Sequence, residues 1–258
     1  MVARVCTHPW EMQTEGFCIA GNLYYVGNKD VSCHLIDTGE GLILLDTAYP
    51  QTVYLLLESI RSLGFDPMNI KYIVHSHGHY DHFGGTKALV ELTGAKTFLG
   101  EEDIKILNEC QAMSWANEYG VFFYEKFDVD VSLKDGDIIE LGNTKIKTIH
   151  SPGHTDGCMS YFFDIEEKGE TYKVGIHGGP GFNTLTDEYL AEYGRDIKNR
   201  KIFFETIEKL LKIDVDIFIG AHPGQNDTFG KQDKITKDFN PFIDKSAWID
   251  FLKNHREK

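Results

Sequence analysis

Apolar positions along this chain switch their period between two and about 3.6, and each switch marks an element. Residues 31–37 (VSCHLID) and 42–47 (LILLDT) are short aliphatic and β-branched runs. Thr38-Gly39-Glu40-Gly41 between them has turn composition, so the two runs predict a hairpin. Val53, Leu56, Leu57, Ile60 and Leu63 then fall at helical spacing, and Gly64 stands where such a helix stops. A strand follows at 71–76 (KYIVHS), and Gly84-Gly85 leads into a helix around residues 88–92.

The later chain repeats this order. Hairpins at 137–149 and 158–177 precede a helix that carries Phe203, Ile207, Leu210 and Leu211 on one face, and then comes the strand-like run VDIFIGAHPG at 215–224. In each half a helix feeds a strand that ends in histidine: His75 and His77 in the first, His222 in the second. The pattern predicts an α/β fold of two similar halves, with two sheets face to face and helices outside. Residues 1–258 are expected to form one domain, because no Pro- or Ser-rich linker or low-complexity tract interrupts them. Strand-end histidines of both halves would then meet along one edge, where loops carry chemistry.

Composition narrows the partners. The net charge of −14 opposes binding to polyanions, so nucleic acid is excluded as a partner. No stretch approaches the ~20 apolar residues of a membrane span, and residues 1–13 (MVARVCTHPWEMQ) lack the apolar core of a signal peptide. As the sequence stands the expectation is a cytoplasmic protein, and an extracytoplasmic one if a leader has been removed. Cys6, Cys18, Cys33, Cys110 and Cys158 are odd in number and form no CxxC pair, which fits reduced thiols. Oligomeric state is left open.

The chemistry lies in residues 75–85, HSHGHYDHFGG, where four of the 11 histidines and a carboxylate occupy eight consecutive positions. In an extended segment side chains two apart point the same way, so His77 and His79 can face one metal ion. Asp81 and His82 follow where the chain turns toward a helix and can address a neighbouring position. Neutral imidazoles beside a carboxylate suit zinc, which keeps a site open for water when it is catalytic. HSPGHTDG (150–157) presents His154 in a Pro-Gly turn, and GAHPG (220–224) presents His222 likewise. Five histidines and one aspartate would make two three-ligand sets, the number that two metals ~3.5–4 Å apart require.

These motifs resemble the metallo-β-lactamase superfamily of four-layer αβ/βα sandwich hydrolases, and most specifically its third subclass of metallo-β-lactamases. The likeness spans nearly the whole chain and lies in residues 21–50, in 63–85 (LGFDPMNIKYIVHSHGHYDHFGG), in HSPGHTDG, in GAHPG and in the tail NPFID at 240–244. It implies that His77, His79 and His154 hold a first Zn2+ and that Asp81, His82 and His222 hold a second. It also implies that Asp46, in LLDT, backs the ligands, a role compatible with capping a strand end. The implied activity is opening of a β-lactam ring by a metal-bound hydroxide, the chemistry of antibiotic resistance, with Asp81 orienting that hydroxide and handling its proton.

The segment at 172–185 (YKVGIHGGPGFNTL) departs from the pattern. Lactonases, thioesterases and phosphodiesterases of this fold place a metal-bridging aspartate there, and none is present. The lactamase subclass often carries serines and Pro-Gly-Tyr, where this chain has Gly178, Gly179 and Pro180-Gly181-Phe182, without the phenol. His177, the odd residue of this segment, joins Asp81 as a candidate catalytic residue. The alternative is a cytoplasmic zinc-dependent lactonase, thioesterase or other ester hydrolase with at most side activity on β-lactams. A non-catalytic metal-binding module is the third reading, and six ligands argue against it because a structural zinc needs four closed ones. His75 and His150 are expected to be structural, and His8, His34 and His255 have no partner in sequence. Trp10 and Phe122-Phe123-Tyr124 are candidates to line a pocket, and the acidic run at Asp128, Asp130 and Asp135 is expected to be a solvated face.

Overall fold

The apolar runs become twelve strands among the residues that the structure, a computed structural model, describes: 1–109, 112–123 and 125–256. In chain order these are β1 (Phe17–Ala20), β2 (Leu23–Tyr25), β3 (His34–Asp37), β4 (Leu42–Leu45), β5 (Ile70–Val74), β6 (Lys96–Gly100), β7 (Val131–Leu133), β8 (Ile138–Leu141), β9 (Thr144–His150), β10 (Met159–Glu167), β11 (Glu170–Ile176) and β12 (Ile217–Phe218). The first seven form one sheet in sequential order, and the other five form a second sheet ordered β12-β11-β10-β9-β8.

The repeat expected from the pattern is present. In the first half β3 and β4 pair antiparallel, the helix Val53–Ser62 crosses over, and β5 returns parallel to β4 with Leu45 beside Val74. In the second half β10 and β11 pair antiparallel, the helix Lys198–Leu210 crosses over, and β12 returns parallel to β11 with Gly175 beside Phe218. A parallel return needs such a crossover, so both helices are placed outside their sheets. Gly64, at φ 87°, takes the left-handed conformation just past the first helix that a side chain with a Cβ would resist.

Three apolar clusters separate four layers. Ile43, Leu45 and Val74 of the large sheet meet Met159, Tyr161, Phe163, Val174 and Ile176 of the small one. On the outer face of the large sheet Leu44 and Ile73 pack on Leu56 and Ile60. On the outer face of the small sheet Phe162 and Phe218 pack on Phe203, Ile207, Trp248 and Phe251. Alternation along β10, with Tyr161 and Phe163 inward and Phe162 outward, serves both sides of that sheet at once.

Some elements differ from expectation. β5 stops at Val74, before His75 and Ser76: the Ser76 amide leaves the ladder for the Asp46 carboxylate, and its carbonyl accepts from the Met159 amide of the other sheet. The helix Lys245–Arg256, whose fully buried Trp248 donates from Nε1 to the Leu210 carbonyl, was not foreseen. The acidic positions Asp128, Asp130 and Asp135 are all exposed, as expected of a solvated face, and two of them also bond to neighbours. Asp130 accepts from the Thr97 amide at 2.8 Å, and Asp135 pairs with Lys209 at 2.8 Å. Cys6, Cys18, Cys33 and Cys158 are free thiols, whereas Cys110 and Tyr124 lie outside the described residues. Among the described residues no helix is long and apolar enough to cross a membrane.

Candidate metal centre

Both halves deliver their histidine loops to one edge of the sandwich. After β5 the chain bends at residues 76–78, is extended at His79 (φ −99°, ψ 149°) and then makes one helical turn, Tyr80–Phe83. That change of conformation splits the cluster: His77 and His79 come from the bent segment before the helical turn, not from a continuous extended strand, and Asp81 and His82 come from the turn. Asp81 does not cap the turn, since His79 holds the cap position and no side chain bonds there. His75 is structural, as expected. Its Nδ1 donates to the Phe98 carbonyl at 2.8 Å, its Nε2 accepts from the Thr86 hydroxyl at 2.7 Å, and burial pushes its pKa down.

The structure brings together His77, His79 and His154, each offering one ring nitrogen, with those atoms within 4.8 Å of one another. His77 Nε2 faces His79 Nδ1 at 3.1 Å. The His154 Nδ1–H donates to the Gly181 carbonyl at 2.8 Å, which turns Nε2 inward. Burial first, then the neighbouring imidazoles, hold His77 and His79 well below the usual histidine range. Burial takes His154 down to about 3. Three neutral rings with converging nitrogens and no carboxylate among them form a donor set that a divalent cation satisfies. The buried His79 Nε2 has no hydrogen-bond partner.

Asp81, His82 and His222 form the second group, again with ligand atoms within 4.8 Å. Asp81 Oδ2 lies 3.3 Å from His82 Nε2 and 3.5 Å from His222 Nε2. Each histidine is oriented from behind: His82 Nδ1–H donates to Asp46 Oδ2 at 2.8 Å, and His222 Nδ1–H donates to the Asp30 carbonyl at 2.7 Å. Burial opposes a charged His82, but Asp81 and Asp46 at its two nitrogens outweigh it and raise the pKa to about 10. Burial likewise opposes a charged Asp81, and His82 and His222 overcome it, holding the carboxyl below the usual range. The groups adjoin, with the His77 and His82 rings 4.1 Å apart.

Asp46 performs both roles foreseen for it. At the end of β4, with φ 59°, it accepts from the Ser76 amide and hydroxyl, each at 2.7 Å, as well as from His82. The Ser76 hydroxyl in turn lies 3.0 Å from His77 Nδ1, so one carboxylate reaches a ligand of each group.

The groups lie at the base of a cleft of about 300 Å³ walled by Trp115, Tyr119, Pro180, Gly181, Asn183 and Gln225. Trp115 tilts over His79 at 5.5 Å and has φ 67°. His177 is absent from this wall, contrary to its expected catalytic place. Its ring lies on the helix side of the small sheet, 6.4 Å from Phe203 and from Phe251, and burial lowers its pKa to about 3. Strand parity is the reason: Val174 and Ile176 face the inter-sheet core, so position 177 faces the helices. Phe182 also turns away, onto Phe203 and Phe204 at 6.0 Å. Trp10 lies tilted against His8, and Phe122 and Phe123 line a separate pocket beside Tyr80, so none of them lines the cleft.

Arg195 went unnoticed in the sequence. Its guanidinium donates to the carbonyls of Gly153 (2.9 Å), His154 (3.0 Å) and Thr184 (3.2 Å) and to Asp156 (3.0 Å). The same loop lies flat on the helix behind it: a Cβ on Gly153, at φ 143°, would come 2.6 Å from the Phe203 ring. No local signal connects Arg195 with a histidine 41 residues earlier.

Residues 26–167 match the sequence model of the Metallo-beta-lactamase superfamily. Among solved structures the chain is similar to BJP-1, a subclass B3 metallo-beta-lactamase of Bradyrhizobium japonicum, with TM-score 0.88 and 28% identity, covering 98% of this chain and 95% of that one. It is also similar to the FEZ-1 metallo-beta-lactamase from Legionella gormanii, with TM-score 0.85 and 31% identity over 95% of this chain and 94% of that one. Among curated proteins, hydroxyacylglutathione hydrolase GloC of Haemophilus influenzae is 28% identical over 193 residues, 74% of this chain and 83% of its own.

Proposed function

The chain belongs to the metallo-beta-lactamase superfamily, and from that membership we propose that it is a dinuclear zinc hydrolase that opens the β-lactam ring of a small-molecule substrate. The pair of adjoining three-residue groups carries the reading, in a chain similar over nearly its whole length to a subclass B3 enzyme. His77, His79 and His154 would hold one zinc, and Asp81, His82 and His222 the other. When bound, zinc supplies Lewis acidity toward a carbonyl oxygen and lowers the pKa of a coordinated water from 15.7 toward ~7.

The remaining work falls to the chain. Asp81 keeps its charge at the junction of the groups, 3.3 Å from His82 Nε2, where it would orient the attacking water. Asp46 and the Asp30 carbonyl hold the rings of His82 and His222 so that their Nε2 atoms face Asp81. Trp115 and Tyr119 wall a cleft whose volume, about 300 Å³, admits a small bicyclic substrate and little water beside it.

A second reading, hydrolysis of a lactone or thioester, is favoured by one observation. Among the described residues the cleft wall has no Lys or Arg to pair with the carboxylate that penicillins and cephalosporins carry. The likeness to GloC points the same way. Turnover of a chromogenic cephalosporin, a lactone and a thioester by zinc-loaded protein separates the readings. Efficient cephalosporin cleavage that a chelator abolishes is the expected result. Fast cleavage of the ester or thioester with negligible cephalosporin turnover would replace the first reading by the second.

A further inference from the structure

The two loops that carry the first histidine group are joined by a single carboxylate, and we propose that Asp103 is the positioning residue that sets the geometry of His77, His79 and His154 toward their metal. The inference rests on the zinc reading of that group. Asp103 is fully buried at the end of the short turn Glu101–Asp103 that follows β6. Its Oδ2 accepts from the amide of Gly78, the residue between His77 and His79, at 2.7 Å. The same oxygen accepts from the hydroxyl of Thr155, the residue after His154, at 2.6 Å. Its Oδ1 accepts from the Gly157 amide at 2.7 Å. One planar group therefore fixes how far the His77/His79 loop stands from the His154 loop.

The glycines in HGH and TDG follow from the same contact. A Cβ on Gly157 would lie 2.4 Å from the Asp103 amide nitrogen, and one on Gly78 would lie 3.1 Å from the Asp103 Cβ. Both loops thus approach Asp103 as closely as a residue without a side chain permits. Arg195 grips the His154 loop alone, from its other side, and does not reach the His77/His79 loop. Only an acceptor at both oxygens serves three converging donors. In Asp103→Asn the amide NH2 must face either the Gly157 amide or both Gly78 and Thr155, so at least one donor meets a donor whichever way the side chain turns.

The test is zinc affinity, measured with Zn2+ alone in competition with a chromophoric chelator on the full chain. It is run in two backgrounds: His222→Ala, which leaves only the first group complete, and His79→Ala, which leaves only the second. Asp103→Asn should weaken binding by about 10–100-fold in the His222→Ala background, the range for residues that orient ligands, and by less than about twofold in the other. Thr155→Val should weaken the first group by a smaller factor, and Thr155→Ser, which keeps the hydroxyl, should restore it. Unchanged affinity of Asp103→Asn in the His222→Ala background overturns the proposal. Equal losses in both backgrounds overturn it too, because Asp103 would then merely support the fold. If Asp103→Asn does not fold, the Thr155 pair decides, and equal affinities for Val and Ser overturn the proposal. A wild-type chain that binds no zinc refutes the metal reading itself, an outcome separate from parents that bind and an Asp103→Asn that binds equally.

Discussion

Replacing Asp81 by asparagine isolates the charge at the junction of the two groups. The side chain is 7% exposed and its Oδ2 lies 3.3 and 3.5 Å from the Nε2 atoms of His82 and His222, so asparagine preserves size and one oxygen while removing the charge that would hold the second metal. The metal-free fold should tolerate the change. His82 keeps its bond to Asp46 at 2.8 Å, the first group is untouched, and Asp81 caps no helix. The cost should appear on adding zinc. At a hundredfold excess over Kd one site contributes roughly 2.7 kcal/mol, which in a chain of this size raises Tm by roughly 5–10 °C. Asp81→Asn should lose about half of the zinc-dependent rise, bind one equivalent in place of two, and lose at least ~10²-fold in kcat, the lower range for a positioned acid or base. Differential scanning fluorimetry with and without zinc, elemental analysis, and turnover on the best substrate measure the three effects. A folded variant with the full zinc-dependent shift and near-wild-type kcat would refute the assignment of Asp81 and the two-metal reading with it.

Phe182→Tyr should change cephalosporin kcat/KM by less than about threefold, because the ring packs on Phe203 and Phe204 and its new hydroxyl cannot donate into the cleft; a tenfold rise would show that the ring turns inward. His34 is buried, and burial lowers its pKa to about 4, below the unfolded value of about 6.5. The unfolded chain therefore binds the extra proton between those values, and metal-free protein should lose about 3 kcal/mol from this group as pH falls from 6.5 to 4. His34→Gln should flatten that part of the stability-pH curve, and an unchanged slope in urea unfolding would contradict it. Arg195→Ala should destabilise by about 1–3 kcal/mol, since it takes from the carbonyls of Gly153 and Thr184 their guanidinium donor, while Asp156 keeps Lys105 and the His154 carbonyl keeps the Thr184 hydroxyl; a Tm within 2 °C of wild type by calorimetry, where roughly 2–4 °C per kcal/mol is expected, would show that the clamp is idle.

The sequence by itself determined the elements and the local half of the site. Period changes located the two hairpin-helix-strand units, because backbone conformation and side-chain parity are set by neighbours a few residues apart. The spacing of His77, His79, Asp81 and His82 was legible for the same reason, and so was the structural place of His75. Even the misplaced His177 was open to correction by parity, since Val174 and Ile176 on the same strand are core-facing. Tertiary structure alone decided which nitrogens face one another. Sheet register and two parallel crossovers carry His154 and His222 to the edge where the other four stand. It alone set the direction of Phe182 and the orientation of His82, whose Nδ1 meets Asp46 from another strand end. Asp103 and Arg195 act through hydrogen bonds to backbone far away in sequence, and such bonds leave no periodic trace. What they recognise is a position in space, which exists only once the four layers have packed.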